Sequence, residues 1–225
     1  MDELSVIGLT LALLFIGFAR CRQEDECVAA LRLKALTLAV LVEYAVLVAG
    51  TLTCYEFVYL NFVVYNMFTV LVAFVLLFHG FVWLWRKGRI TVSARMWLLP
   101  PAYGRIGWLL AAPFAAVCLC VLFSQDFGLS WLDEAGVTGL TIALLLISFS
   151  RERQEDEYIA ALRTRALVWA VYVSYTILIV GTASIYGEAY LYFFFSNLFT
   201  LPIVFILKFR WLMHQLNKEG GSHDK

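Results

Sequence analysis

One acid stands apart in this chain. Of seventeen acidic and seventeen basic residues, Glu43 alone falls near the middle of a long apolar run, about eight residues, or ~12 Å, into the stretch Ala35 to Leu52. An ionisable group at that depth in a bilayer costs roughly 2.5 to 3.5 kcal/mol on insertion scales, so its presence asks for a reason. Asn66 reaches nearly the same depth about nine residues into Phe57 to Leu84, entering from the opposite face, and Asn197 does so in Ala189 to Met213. Tyr44 and Tyr175 belong to the same layer. A carboxyl, two carboxamides and two phenols at one level suit a small polar solute or a proton relay. The competing reading is that they hydrogen-bond between helices.

The second set of chemically active residues is a repeated acidic pentapeptide, "RQEDE". It brings Glu24, Asp25 and Glu26 together, and again Glu155, Asp156 and Glu157. Arg20 and Glu24, Arg22 and Glu26, and their copies are spaced i,i+4, so a helix running through the loop would pair them. If instead the chain turns, the acids open the next helix, where negative charge suits the dipole. A sharper reading makes these triplets a cation site or a dock for a partner's basic surface. No histidine accompanies them, which disfavours a transition metal. His79 and His214 fall at the inner ends of apolar runs, as interface residues. No Gly-rich nucleotide loop, nucleophile elbow or HExxH zinc motif occurs, so neither an enzyme, nor a cofactor, nor a bound metal is expected.

The elements that must position these residues belong to a membrane protein. The chain of 225 residues is 62% hydrophobic and only 15% charged, against about a quarter charged in soluble domains. Its formal net charge is zero, which gives no footing for nucleic acid. The opening "MDELSV" lacks the positive region of a secretory signal, so the first apolar run is expected to be retained. Five cysteines form neither a CxxC spacing nor a disulfide framework and read as free thiols.

An internal duplication organises the rest. Offset by 131 residues, Asp2 lies over Asp133 and Lys87 over Lys218 without a gap, with roughly half the positions identical. "GLTLALLFIGFARCRQEDECVAALRLKAL" faces "GLTIALLLISFSRERQEDEYIAALRTRAL", Tyr44 faces Tyr175, and "NMFT" at Asn66 faces "NLFT" at Asn197. The acid itself is not duplicated, for Glu43 faces Ser174. Each copy holds three apolar runs, the first beginning with Ser5 to Ala19 and the second with Ala135 to Ser150. The unpaired run Ile106 to Phe123 lies between them. Most reach the ~20 residues of a spanning helix. The basic residues, including Arg32, Lys34, Arg86, Arg95, Arg163 and Lys208, all fall on one side of a seven-span count, which places the N-terminus outside and the C-terminus in the cytoplasm.

The fold expected is therefore all-α: a polytopic protein of seven transmembrane helices, in two parallel three-helix repeats joined by one linking helix. Residues 1–87 form the first repeat, 88–131 a cytoplasmic linker with the connecting helix, 132–218 the second repeat and 219–225 a tail. Within the linker, "GRITVSARMWLLPP" alternates enough to lie along the membrane surface. Gly8 and Gly139 align in the short first helices, where they could mark a binding site or permit close packing. Pro113 and Pro202 are expected to kink their helices.

This 3+1+3 layout resembles that of SWEET-type sugar transporters and PnuC-type vitamin transporters. The resemblance covers the whole chain and is one of layout. A SWEET-type protein pairs prolines in its two repeats, whereas here Pro202 faces Leu71. The pattern "RxxQEDExxxALR" also resembles small bacterial integral membrane proteins. These likenesses imply a multi-pass protein of the cell membrane, a bacterial inner membrane by the second of them. It would be a small transporter or channel carrying a polar solute, ion or proton past Glu43, Asn66 and Asn197. The alternative is a non-catalytic sensor or regulatory scaffold. Such a scaffold would bind a protein partner, or further copies of itself, through its cytoplasmic loops.

Overall fold

The computed structural model describes residues 3–19, 26–54, 56–89, 98–124, 131–152 and 156–220. Nine helices follow one another among them: α1 (Glu3–Phe18), α2 (Glu26–Thr53), α3 (Glu56–Asn66), α4 (Thr69–Arg86), α5 (Pro101–Ser124), α6 (Trp131–Ser148), α7 (Glu157–Ser184), α8 (Glu188–Asn197) and α9 (Thr200–Gly220). The described residues contain no strand. One isolated parallel bridge joins Leu99 to Ser150, with the Leu99 N–H donating to Phe149 O at 2.9 Å and the Arg151 N–H to Leu99 O at 2.8 Å.

Four helical stretches are long and apolar enough to cross a membrane: Cys27–Thr53, Asn61–Arg86, Pro101–Cys120 and Tyr158–Ser184. A fifth forms if Ala189–Asn197 and Thr200–Leu216, bent by 49°, act as one. Ser5–Phe18 and Ala135–Ser148 are shorter apolar helices. Large apolar side chains remain exposed on the outside, among them Phe15 at 74%, Leu76 at 68% and Leu109 at 77%. That exposure suits a surface solvated by lipid, since a soluble domain would bury much of it.

The two longest helices, α2 and α7, each run 28 residues and form the centre. The buried face of α2 reads Val28, Leu31, Ala35, Leu36, Ala39, Val40, Glu43, Tyr44, Leu47 and Thr51. That is the i, i+3, i+4, i+7 recurrence of a helix packed along one stripe. On α7 the stripe recurs as Ile159, Leu162, Ala166, Leu167, Ala170, Val171, Ser174, Tyr175, Leu178 and Thr182. Alanines at 35, 39, 166 and 170 let backbones approach, which is how helices associate where lipid removes any hydrophobic drive. Helix α2 packs chiefly on α4 and α7 on α9. In turn α1 touches α4 and α7, while α6 touches α9 and α2. Helix α5 packs most extensively on α6, where a Cβ on Gly107 would meet the Ala143 carbonyl at 2.9 Å.

Two arginines fasten the ends of the short helices. Arg163, buried in α7, donates to Ser148 O at 2.8 Å and Ser150 O at 3.1 Å, and its guanidinium lies 4.6 Å from the Phe209 ring centre. Arg32 on α2 donates to Ala19 O at 3.2 Å and lies 5.2 Å from the Phe78 ring centre. A cation at a helix C-terminus satisfies orphan carbonyls and complements the dipole.

Candidate functional site

The site begins where two helices fail to continue. The apolar runs Phe57 to Leu84 and Ala189 to Met213 read as single helices, yet turns at 67–68 and 198–199 separate α3 from α4 and α8 from α9. Asn66 and Asn197 are the last residues of the two half-helices. A tyrosine from the other half of the chain meets each break. The Tyr44 hydroxyl donates to Leu198 O at 3.1 Å, and the Tyr175 hydroxyl donates to Met67 O at 2.8 Å.

The two contacts differ for a reason visible in the sequence. In the first half, Leu71 would close the helical bond to Met67 four residues back. Met67 O instead accepts from the Tyr175 hydroxyl, so the phenol is inserted into the hydrogen-bond ladder, a recognised cause of helix breaks. In the second half the corresponding residue is Pro202, which has no N–H to offer Leu198 O. Tyr44 supplies the donor that proline lacks. Pro202 sits in the first turn of α9, where proline is tolerated, and this half carries the 49° bend.

Between the tyrosines lies a cavity of about 20 Å³ lined by Glu43, Tyr44, Met67, Ser174, Tyr175, Leu178, Asn197, Leu198 and Leu201. That is room for about one water molecule. Glu43 is 7% exposed and Ser174 5%, and Glu43 Oε2, Ser174 Oγ and Asn197 Oδ1 have no hydrogen-bond partner. Buried polar atoms are almost always paired, so three orphans around one space are a departure that points to an occupant. Asn66 is 2% exposed with neither amide atom partnered. It lies beside the break and is not among the lining residues.

A second cavity of about 20 Å³ shares Tyr44 and Leu201 with the first and is otherwise lined by Thr37, Val40, Leu145, Ser148, Phe149, Arg163, Leu167, Pro202 and Phe205. It extends from Tyr44 to the α6 end held by Arg163. The sequence offers a trace of it: Thr37 and Ser148, one from each half, face Val168 and Gly17, so the counterpart positions lack both hydroxyls.

Of the positions singled out in the sequence, Glu43, Tyr44, Tyr175 and Asn197 thus meet in one cavity. Ser174, present in the sequence as the counterpart of Glu43, joins them. Glu24, Asp25 and Glu155 lie outside the described residues. Glu26 and Glu157 open α2 and α7, and Asp156 is the exposed, extended residue before α7, consistent with acids placed at a helix start. Most of the surface-lying linker stretch is also outside the described residues. Gly139 packs on the Phe114 ring, whereas Gly8 faces open space. Pro113 lies inside the unbroken α5. His79 is exposed and bonds within its helix to Val75 O at 2.8 Å, and His214 is exposed. Cys27, Cys54, Cys118 and Cys120 are thiols outside any disulfide. The described residues hold no group of three or more His, Cys, Asp or Glu suited to a metal. Comparison with known proteins finds no matching family model, no similar curated protein and no similar solved structure.

Proposed function

We propose that the protein is a small membrane transporter in which a polar solute or ion passes between two like-oriented halves at the level of Glu43. The observation that carries this reading is the cavity where Glu43, Ser174 and Asn197 leave polar atoms unpartnered beside two broken helices. Discontinuous helices at matching positions of two repeats, meeting near the bilayer midplane, are where secondary transporters hold substrates and coupling ions. Irregular backbone at that depth is tolerated only in protein or along a cavity.

The membrane arrangement proposed with it has seven crossings. The four long apolar helices and the bent pair give five, and α1 and α6 supply the other two. At 16 and 18 residues these are about 24 and 27 Å long, a little under the ~30 Å hydrocarbon core. Arg32 and Arg163 at their C-terminal ends suit the cytoplasmic face under the positive-inside rule. Three helices per half is an odd number, so two parallel copies need one extra crossing, and α5 provides it. The N-terminus is then outside, the C-terminus inside, and the layout matches the 3+1+3 class of the SWEET-type and PnuC-type transporters. A cell membrane, a bacterial inner membrane by the segment likeness, is its proposed place.

The test is electrical. Proteoliposomes on a solid support are presented with steps of sodium, protons and a panel of small polar solutes. The wild type is expected to carry a current that Glu43→Gln abolishes or strips of its pH dependence while the protein remains folded. Currents identical in both proteins would remove Glu43 from the path. If no current appears and a pull-down instead captures a partner that is lost when the acidic triplets are neutralised, the scaffold reading takes its place.

A further inference from the structure

We infer that the cavity at Glu43 binds one dehydrated monovalent cation of sodium's size. The inference rests on the transport reading above and names what its site holds. Five residues present polar side chains to the cavity: Glu43, Ser174, Asn197, Tyr44 and Tyr175. Their unpartnered atoms are all oxygens: Glu43 Oε2, Ser174 Oγ and Asn197 Oδ1. The hydroxyl protons of both tyrosines are committed to Leu198 O and Met67 O, which leaves phenolic oxygens beside the carboxylate. Unpartnered oxygens, one of them on a carboxylate, suit a hard cation.

Charge and size narrow the choice. Glu43 is the one carboxylate among the lining residues, so a monovalent ion makes a neutral site. A divalent ion would leave a net positive charge in a low-dielectric interior, which is strongly unfavourable, and calcium prefers six to eight oxygens with several carboxylates. A volume of about 20 Å³ admits one water-sized body and excludes a hydrated ion, a sugar or a vitamin in this conformation. Since Ser174 stands where a second acid would by symmetry, the site is set for one cation rather than two.

The experiment uses the full-length protein in detergent, with ²²Na⁺ binding measured by scintillation proximity and the thermal midpoint read in sodium, potassium or choline chloride at matched ionic strength. Saturable ²²Na⁺ binding and a midpoint about 5 °C or more higher in saturating sodium than in choline are expected. Both should be lost in Glu43→Gln. Ser174→Ala, which keeps the charge and tests the site should Glu43→Gln fold poorly, should weaken sodium binding by about tenfold. Equal stabilisation by sodium, potassium and choline, or ²²Na⁺ binding unchanged in both variants, overturns the inference. If sodium binds as expected but no proteoliposome current is found with any solute, the cation site stands and the transport reading falls. Currents carried without sodium binding overturn the cation site and leave the transport reading standing.

Discussion

Removing the Tyr44 hydroxyl should cost more than removing that of Tyr175, although the two tyrosines occupy equivalent positions. In Tyr44→Phe, Leu198 O loses the donor it holds at 3.1 Å. It cannot recover a helical one, because the residue four positions on is Pro202. A buried carbonyl left unpaired costs about 1 to 3 kcal/mol. Interhelical hydrogen bonds in membranes average about 0.6 and reach about 1.7 kcal/mol, so we expect about 1 to 2 kcal/mol. In Tyr175→Phe, Met67 O loses a donor at 2.8 Å, but Leu71, four residues on, carries the N–H that Pro202 lacks in the other half. Met67 O and that N–H can close an ordinary helical bond, and the net cost should fall below about 0.5 kcal/mol. The decisive arm is a double-mutant cycle. Pro202→Leu restores the missing N–H, so it should recover most of the stability lost in Tyr44→Phe. Equilibrium unfolding in mixed micelles reads the four proteins of the cycle and Tyr175→Phe. Equal losses in the two tyrosine variants, or strict additivity of Tyr44→Phe with Pro202→Leu, would refute the wedge-and-cap account of the breaks.

Other outcomes rest on the packing. A Cβ on Gly181 would run into the Phe193 ring, and one on Gly50 into the Phe62 ring. Gly181→Ala should therefore destabilise by about 1 to 3 kcal/mol through overpacking, and Phe193→Leu should restore part of it in the same unfolding assay. Arg163→Ala removes two charge-assisted hydrogen bonds from a buried arginine and should cost about 2 to 4 kcal/mol. Arg32→Ala, which removes a longer bond of 3.2 Å at a more exposed position, should cost less than Arg163→Ala, which the same titration compares directly.

The helical membrane character was legible because apolar composition and run length decide it, and the central stripes of α2 and α7 follow from spacing alone. Depth counting along the runs put Glu43, Tyr44, Tyr175, Asn66 and Asn197 at one level; all but Asn66 line one cavity. The breaks were not legible. "NMFT" holds neither glycine nor proline, and the hydroxyl that opens the ladder there comes from Tyr175, 108 residues away. Pro202 was visible, but its position suggested only a kink. That Leu198 O would be freed, and captured by the opposite half, depends on tertiary packing. The role of the duplicated "ALR" ends was hidden for the same reason: Arg32 and Arg163 reach back 13 to 15 residues to cap a preceding helix.

Transport between the halves requires that their shared cavity open to water. The direct measurement places a cysteine at Ser174, on the cavity wall, in a protein whose five native cysteines are replaced by serine. A small membrane-impermeant thiol reagent is then applied to oriented vesicles from either side. Ser174→Cys should be modified from both sides, and more slowly in sodium than in choline. A thiol that stays unmodified from both sides in a folded protein would show a permanently dry interior and contradict a path past Glu43.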